Sequence, residues 1–207
     1  MAFPRAFANA VVLPNGQVVV VGGQTVPDPF YDTDAVLIPE IWDPTSRLFR
    51  QLSPMQTPRN YHSTAILLQD GRVFVGGGGQ CGESCTGNHF DAEILTPPYL
   101  LKSDGTPAPR PAITRMPVSA SLGSVIRVST DEPVVSFALI RLSAVTHSVN
   151  NDERRIPLAI KAVVRRSSYI LAIPEDPGVV IPGNYMLFAL DAQGVPSKAQ
   201  VISLHQE

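Results

Sequence analysis

The sequence predicts an all-β protein: the C-terminal portion of a kelch β-propeller over residues 1–105, then an immunoglobulin-like β-sandwich over residues 106–207. Three observations carry this. A stretch beginning at Pro4-Arg5 recurs at Pro58-Arg59. Short apolar runs alternate with glycine, proline and aspartate turn signals from end to end. No segment sustains an apolar stripe at the 3.6-residue helical period, so almost no helix is expected.

The repeat organises the first part. Copy one runs from Pro4-Arg5-Ala6-Phe7 through Val11-Val12-Leu13-Pro14-Asn15-Gly16 to Gly22-Gly23. Copy two runs from Pro58-Arg59-Asn60-Tyr61-His62 through Ile66-Leu67-Leu68-Gln69-Asp70-Gly71 to Gly76-Gly77. Read from Pro4 to Pro58 and from Gly22 to Gly76, the offset is 54 residues. A strand, an Asn-Gly or Asp-Gly turn, a second strand and a glycine pair at a period of about 50 residues describe a kelch-type blade. Where copy one has Ala6-Phe7, copy two has Tyr61-His62, a phenol beside an imidazole. Two outer strands are read around Pro39–Pro44 and Leu48-Phe49, with an Asp43-Pro44 turn between them, and another at Ala92–Leu95. Trp42 falls in an outer strand and is read as packing.

Lys102 to Pro111 is a polar, proline-rich connector, and beyond it the pattern changes to short sandwich strands. These are read at Val125–Val128, Val134–Leu142, Arg155–Ile160, Tyr169–Ile173 and Tyr185–Leu190. One segment has no evident structural purpose: Ala144 to Asp152, a polar stretch carrying His147 after a strongly apolar strand.

Composition narrows the function classes. A net charge of −2 argues against a nucleic-acid partner, and no apolar run approaches the ~20 residues of a membrane span. Met1 stands just before a blade's Pro-Arg with no leader-like segment ahead of it. One complete blade and the start of another cannot close a ring of four to eight or so blades. The chain is therefore read as part of a longer protein, with an N-terminal propeller segment as its missing partner. A processed subunit or a truncated gene would look the same.

Cys81 and Cys85 flank a short loop containing Gly82. They read as a disulfide of a secreted, extracellular protein, as free thiols, or as half of a metal site with no second cysteine pair to complete it. His205 and His89 read as surface or loop-satisfying residues. Successive side chains on a strand face opposite ways, so Tyr61 and His62 can share one target only where the strand is irregular or beginning. A set of Tyr61, His62 and His147 would suit tetragonal copper(II) better than zinc or calcium.

The combination Pro-Arg-Asn-Tyr61-His62-Ser, Asp70-Gly71-Arg72-Val-Phe, Gly76-Gly-Gly-Gly-Gln-Cys81-Gly and Asn88-His-Phe-Asp-Ala resembles the copper radical oxidases, the galactose oxidase family. Thr146-His147-Ser148-Val149-Asn150, Arg154-Arg155-Ile156-Pro157-Leu158 and Pro182-Gly-Asn-Tyr-Met-Leu-Phe188 continue the resemblance over nearly the whole chain. It implies a propeller followed by an immunoglobulin-like domain whose loop delivers a histidine to copper. On that basis Tyr61 is the axial ligand and general base, His62 and His147 are the two imidazole ligands, and Phe30 lines the substrate pocket. The cysteine pair matches a small family disulfide, with one extra residue here between Cys81 and Cys85.

The implied reaction is copper-dependent oxidation of a primary alcohol, galactose-like or other, to an aldehyde, with O2 reduced to hydrogen peroxide. The family's other cofactor, a radical tyrosine joined to cysteine by a thioether, is expected from the missing upstream region, so this chain alone is expected to be inactive. Two alternatives stand: a non-catalytic glycan- or protein-binding module on the same fold, and an oxidase of glyoxal-type aldehydes.

Overall fold

The structure is a computed structural model and describes residues 1–79, 82 and 87–206; Cys81 and Cys85, with the disulfide read for them, lie outside the described residues. The chain falls into two compact units. The first comprises Met1–Leu68, Arg72–Leu95 and Ser143–Asn151, and the second Gln69–Gly71, Thr96–Leu142 and Asp152–Glu207.

In the first unit, β1 (Asn9–Val12), β2 (Val18–Val21), β3 (Glu40–Trp42) and β4 (Phe49–Gln51) form a four-stranded antiparallel sheet in sequence order. β5 (Ser63–Leu67), β6 (Val73–Gly77) and β7 (Ala92–Leu95) form a three-stranded sheet of the same pattern. Both inner hairpins close identically: the Leu13 N–H donates to Gln17 O, and the Leu68 N–H to Arg72 O, each at 2.8 Å. Alternate valines, Val11, Val19, Val21, Val73 and Val75, are fully or almost fully buried, as expected of strands with one apolar face. The Asp43-Pro44 turn joins β3 to β4, with Asp43 Oδ1 accepting the Thr45 and Ser46 N–H groups at 2.9 Å each.

These closures correct the repeat offset. The turns at Asn15-Gly16 and Asp70-Gly71 stand 55 residues apart, whereas the Pro-Arg pairs stand 54 apart. Copy two therefore holds one extra residue. The arginines locate it. Arg5 donates to Gly22 O at 2.8 Å and Arg59 to Gly77 O at 3.1 Å, so the arginines correspond while their acceptors are already 55 apart. Next along the chain, the Gln24 N–H donates to Ala6 O, and the Gly79 N–H to Tyr61 O. Ala6 thus matches Tyr61, Phe7 matches His62, and the added residue is Asn60. Gly22 is glycine for a reason of space: a Cβ there would stand 2.2 Å from Arg59 O.

In the second unit a single 3₁₀ turn, Pro98–Leu100, precedes the strands. These are β8 (Ile113–Arg115), β9 (Ser119–Ser121), β10 (Val125–Thr130), β11 (Ser136–Arg141), β12 (Arg155–Arg165), β13 (Ser168–Ala172), β14 (Gly183–Leu190) and β15 (Gln200–His205). They pair in the order β8-β10-β13-β12-β11-β14-β15-β9. β12 runs past the expected Ile160. Residues 155–158 pair with β11 and residues 159–165 with β13, the latter pairing carrying two register shifts. Val128, Leu139, Leu171, Leu187 and Ile202 are fully buried in the resulting core, each contributing on the order of 1.5–3 kcal/mol. The Tyr185 hydroxyl, whose pKa burial raises, donates to Ile181 O at 2.7 Å, the tyrosine-corner arrangement of immunoglobulin-like sandwiches. Among the described residues no helix is long and apolar enough to cross a membrane.

Candidate metal centre

In the first unit the ends of β1 and β5, the loop around Phe30 and the segment Ser143–Asn151 bring five rings together. Tyr61 and His62 lie with ring centroids 4.0 Å apart, His62 and His147 4.6 Å, and Tyr61 and His147 5.7 Å. Phe30 stands 5.4 Å from Tyr61 and 5.8 Å from His62. Phe7, which sequence reasoning did not place in the site, lies 5.1 Å from Tyr61. The structure thus gathers Tyr61, His62, His147 and Phe30 in one cluster.

Backbone conformation explains how neighbours share a target. His62 sits at φ 67° and Tyr61 directly precedes it just before β5 begins. The left-handed turn cancels the usual alternation of faces and swings the imidazole to the phenol's side. Among the described residues seven non-glycine side chains hold such a φ, and Phe7, Phe30, His62, His147 and Ser148 are five of them. Each costs about 1–3 kcal/mol and survives only where its surroundings over-determine it. His147 and Ser148 are the two central residues of a tight turn closed by Thr146 and Val149, whose N–H groups reach each other's carbonyls at 3.2 and 2.8 Å. Positive φ at both centres marks a type I′ turn, normally Asn-Gly. Here it presents a histidine at its tip.

The hydrogen bonds orient the rings. His62 Nδ1 lies 2.6 Å from Gly79 O. A carbonyl only accepts, so Nδ1 carries the proton and Nε2 is left with its lone pair, the arrangement typical of a metal-ligating histidine. In copy one the equivalent carbonyl, Gln24 O, is taken by the Ala6 backbone N–H instead. Gly79 permits this turn at φ 81°, and a Cβ there would stand 2.1 Å from Gly87 O. His147 Nδ1 lies 2.6 Å from the Thr146 hydroxyl, which holds the ring without fixing its tautomer.

The donor set fits a metal of the copper type. Two imidazoles bound at right angles by bonds of about 2.0 Å would hold their ring centres about 4.5 Å apart. The histidine ring centres stand 4.6 Å apart, close to that separation, and their planes are perpendicular at 89°. Among the described residues no group of three or more His, Cys, Asp or Glu gathers to hold a metal, and the oxygen donor beside the two histidines is the Tyr61 phenol. His89 differs from its expected backbone role: Nε2 meets Asp32 Oδ2 at 2.9 Å. A separate cavity of about 540 Å³ in the second unit, lined by Arg115, Ser119 and Arg127, contains none of these residues.

The chain is similar to known proteins along nearly its whole length. Residues 1–99 match the family model "Glyoxal oxidase N-terminus", and residues 110–204 match "Galactose oxidase-like, Early set domain". A galactose oxidase of Gibberella zeae is 46% identical over 205 residues, which cover 99% of this chain and 30% of that protein. The aldehyde oxidase GLOX of Vitis pseudoreticulata is 29% identical over 222 residues, 99% of this chain and 42% of that one. A solved structure of a fungal alcohol oxidase of the AA5 family, in complex with copper, superposes with a TM-score of 0.95 at 44% identity. The match covers 99% of this chain and 43% of that one.

Proposed function

Because this chain belongs to the galactose oxidase family of copper oxidases, we propose that it supplies Tyr61, His62 and His147 as three copper ligands in an oxidase of primary alcohols. The observation that carries this is the meeting of those three rings, each histidine held at a left-handed φ. Copper(II), when bound, supplies a Lewis acid and a one-electron acceptor.

The chain's own residues do the rest of what can be assigned. His62, with Nδ1 donated to Gly79 O, offers Nε2, and His147 offers a second imidazole at right angles. The Tyr61 phenolate is the general base that takes the substrate hydroxyl proton. Phe30 and Phe7 flank Tyr61 as apolar walls, so the alcohol meets this base in a partly dehydrated setting. Overall, a primary alcohol, carbohydrate or smaller, becomes an aldehyde while O2 becomes hydrogen peroxide. The cross-linked tyrosine–cysteine that accepts the carbinol hydrogen is expected from sequence outside these residues, as is the rest of the propeller. The pairing read for Cys81 and Cys85 supports a secreted location.

A second reading, oxidation of an aldehyde at the same centre, is favoured by the glyoxal oxidase match over residues 1–99. The test is copper(II) titration of the chain with electron paramagnetic resonance, beside peroxide-coupled assays with primary alcohols and glyoxal. One equivalent of copper bound through nitrogen donors, with no turnover, is the expected result. Absence of copper binding would favour a non-catalytic binding module, and peroxide release would show that no further residues are required.

A further inference from the structure

We propose that Asn60, Asp32 and His89 are positioning residues that lock the Phe30 wall and the Tyr61–His62 pair into one frame; this rests on the copper-ligand reading above. Asn60 is the residue by which copy two exceeds copy one, and its side chain is buried, with only 4% of the residue exposed. Its Nδ2 donates to Tyr31 O at 3.1 Å and reaches Asp32 Oδ1 at 3.4 Å. Its Oδ1 is buried without a partner. Flipping the amide would turn that oxygen onto two acceptors, so the orientation is fixed and the unsatisfied atom is the cost of making both contacts.

From there the contacts form a closed circuit. Asp32 Oδ2 holds His89 Nε2 at 2.9 Å. The His89 N–H donates to Gly78 O, and the Gly79 N–H donates to Tyr61 O, one residue beyond Asn60. Gly79 O takes His62 Nδ1. The Phe30 loop is also held on its other side, where buried Gln24 donates through Nε2 to Val26 O and Asp28 O at 2.6 and 2.7 Å. Gly87 completes the clasp, since a Cβ there would meet Phe30 O at 2.7 Å. Copy one has no counterpart of Asn60, and its Ala6 and Gln24 exchange a plain backbone bridge.

These residues touch neither metal nor substrate; they fix where ligands and wall stand. The experiment is copper(II) affinity and paramagnetic resonance of the full chain carrying Asn60→Ala, Asp32→Ala or Asp32→Asn, with His62→Phe as the ligand-loss control. Outer partners of metal ligands typically account for 10–100-fold in affinity, so Asn60→Ala and Asp32→Ala should each weaken copper binding by roughly that factor and broaden the copper spectrum. Asp32→Asn, whose single amide oxygen can serve His89 only by turning its nitrogen onto the Asn60 amide, should give an affinity between those of the parent and Asp32→Ala. Unchanged affinity and spectrum in both alanine variants, beside a clear loss in His62→Phe, would overturn the proposal. If His62→Phe binds copper as the parent does, it is the ligand assignment that fails. Should Asn60→Ala not fold, the two Asp32 variants decide the question.

Discussion

The two copies of the repeat share a frame down to the carbonyl that each buried arginine grips, and they part over the few residues that follow. Arg5 reaches Gly22 O, Ile38 O and Glu40, and Arg59 reaches Gly77 O, Asp91 O and the Asp91 carboxylate. The left-handed position after the arginine is Phe7 in one copy and His62 in the other. Copy one fills it with an apolar ring, and copy two fills it with a donor while adding Asn60 to re-aim it. A strained backbone position built into a repeating scaffold can thus be given chemistry by two local changes, because the sheet behind it already meets the strain.

The sharpest way to break the comparison is through the arginines. The Arg5–Glu40 pair is dry, with each side chain 1% exposed, whereas Arg59 faces Asp91 and Glu93 at 53% and 27%. Arg5→Ala strands a buried carboxylate and should cost about 3–5 kcal/mol. Arg59→Ala leaves its partners in water and should cost less; equal losses in chemical denaturation would show that the two frames are not built differently. Next, His62→Phe makes copy two read like copy one. It should abolish nitrogen-coordinated copper, lowering affinity more than roughly 100-fold, beyond what outer partners account for, with the thermal midpoint little changed because Phe7 already fills that conformation.

Acid tests the same pair more gently. Burial pushes the Glu40 carboxyl up, but the Ala2 N–H and the Arg5 guanidinium outweigh it and hold the pKa below the usual range. The hydrogen bond from Arg59 does the same for Asp91, against a smaller desolvation effect. A carboxylate depressed in the folded state stabilises above its unfolded pKa and loses that contribution as pH falls through the folded value. Stability of the parent should therefore decline below about pH 4, in the range of unfolded carboxylates. Arg5→Ala should flatten that decline, and an unaltered pH profile would detach Glu40 from it. Smallest is Ser148→Gly, which relieves one left-handed residue of the His147 turn. It should raise stability by up to about 1 kcal/mol with copper affinity unchanged.

Much of this was legible in the sequence. The hairpins, the Asp43-Pro44 turn and most sandwich strands follow from alternation and turn residues, and Tyr61, His62, Phe30 and His147 follow from a family resemblance. The one-residue step between copies was not, because the glycines at 76–79 let Gly22-Gly23 align equally well one position early. The far half of β12 escaped notice because Lys161–Arg165 is exposed throughout and carries no alternation. Asp32 and His89 could not be paired by reading, since they lie 57 positions apart and meet only through folding. Nor does a phenylalanine announce the left-handed position at Phe7, where glycine or asparagine would be the usual sign.

The tight turn at Thr146–Val149 also sets a time. His147 follows His62 by 85 residues, so at a synthesis rate of about 5–20 residues per second the phenol and first imidazole wait roughly 4 to 17 seconds on the ribosome before the second imidazole exists. During that interval the site proposed for copper lacks one imidazole, which leaves it a poorer competitor for any tightly buffered metal. On the copper-ligand reading, the site is complete only once the turn that strains to present His147 has been made, so that turn doubles as the gate on when loading can begin.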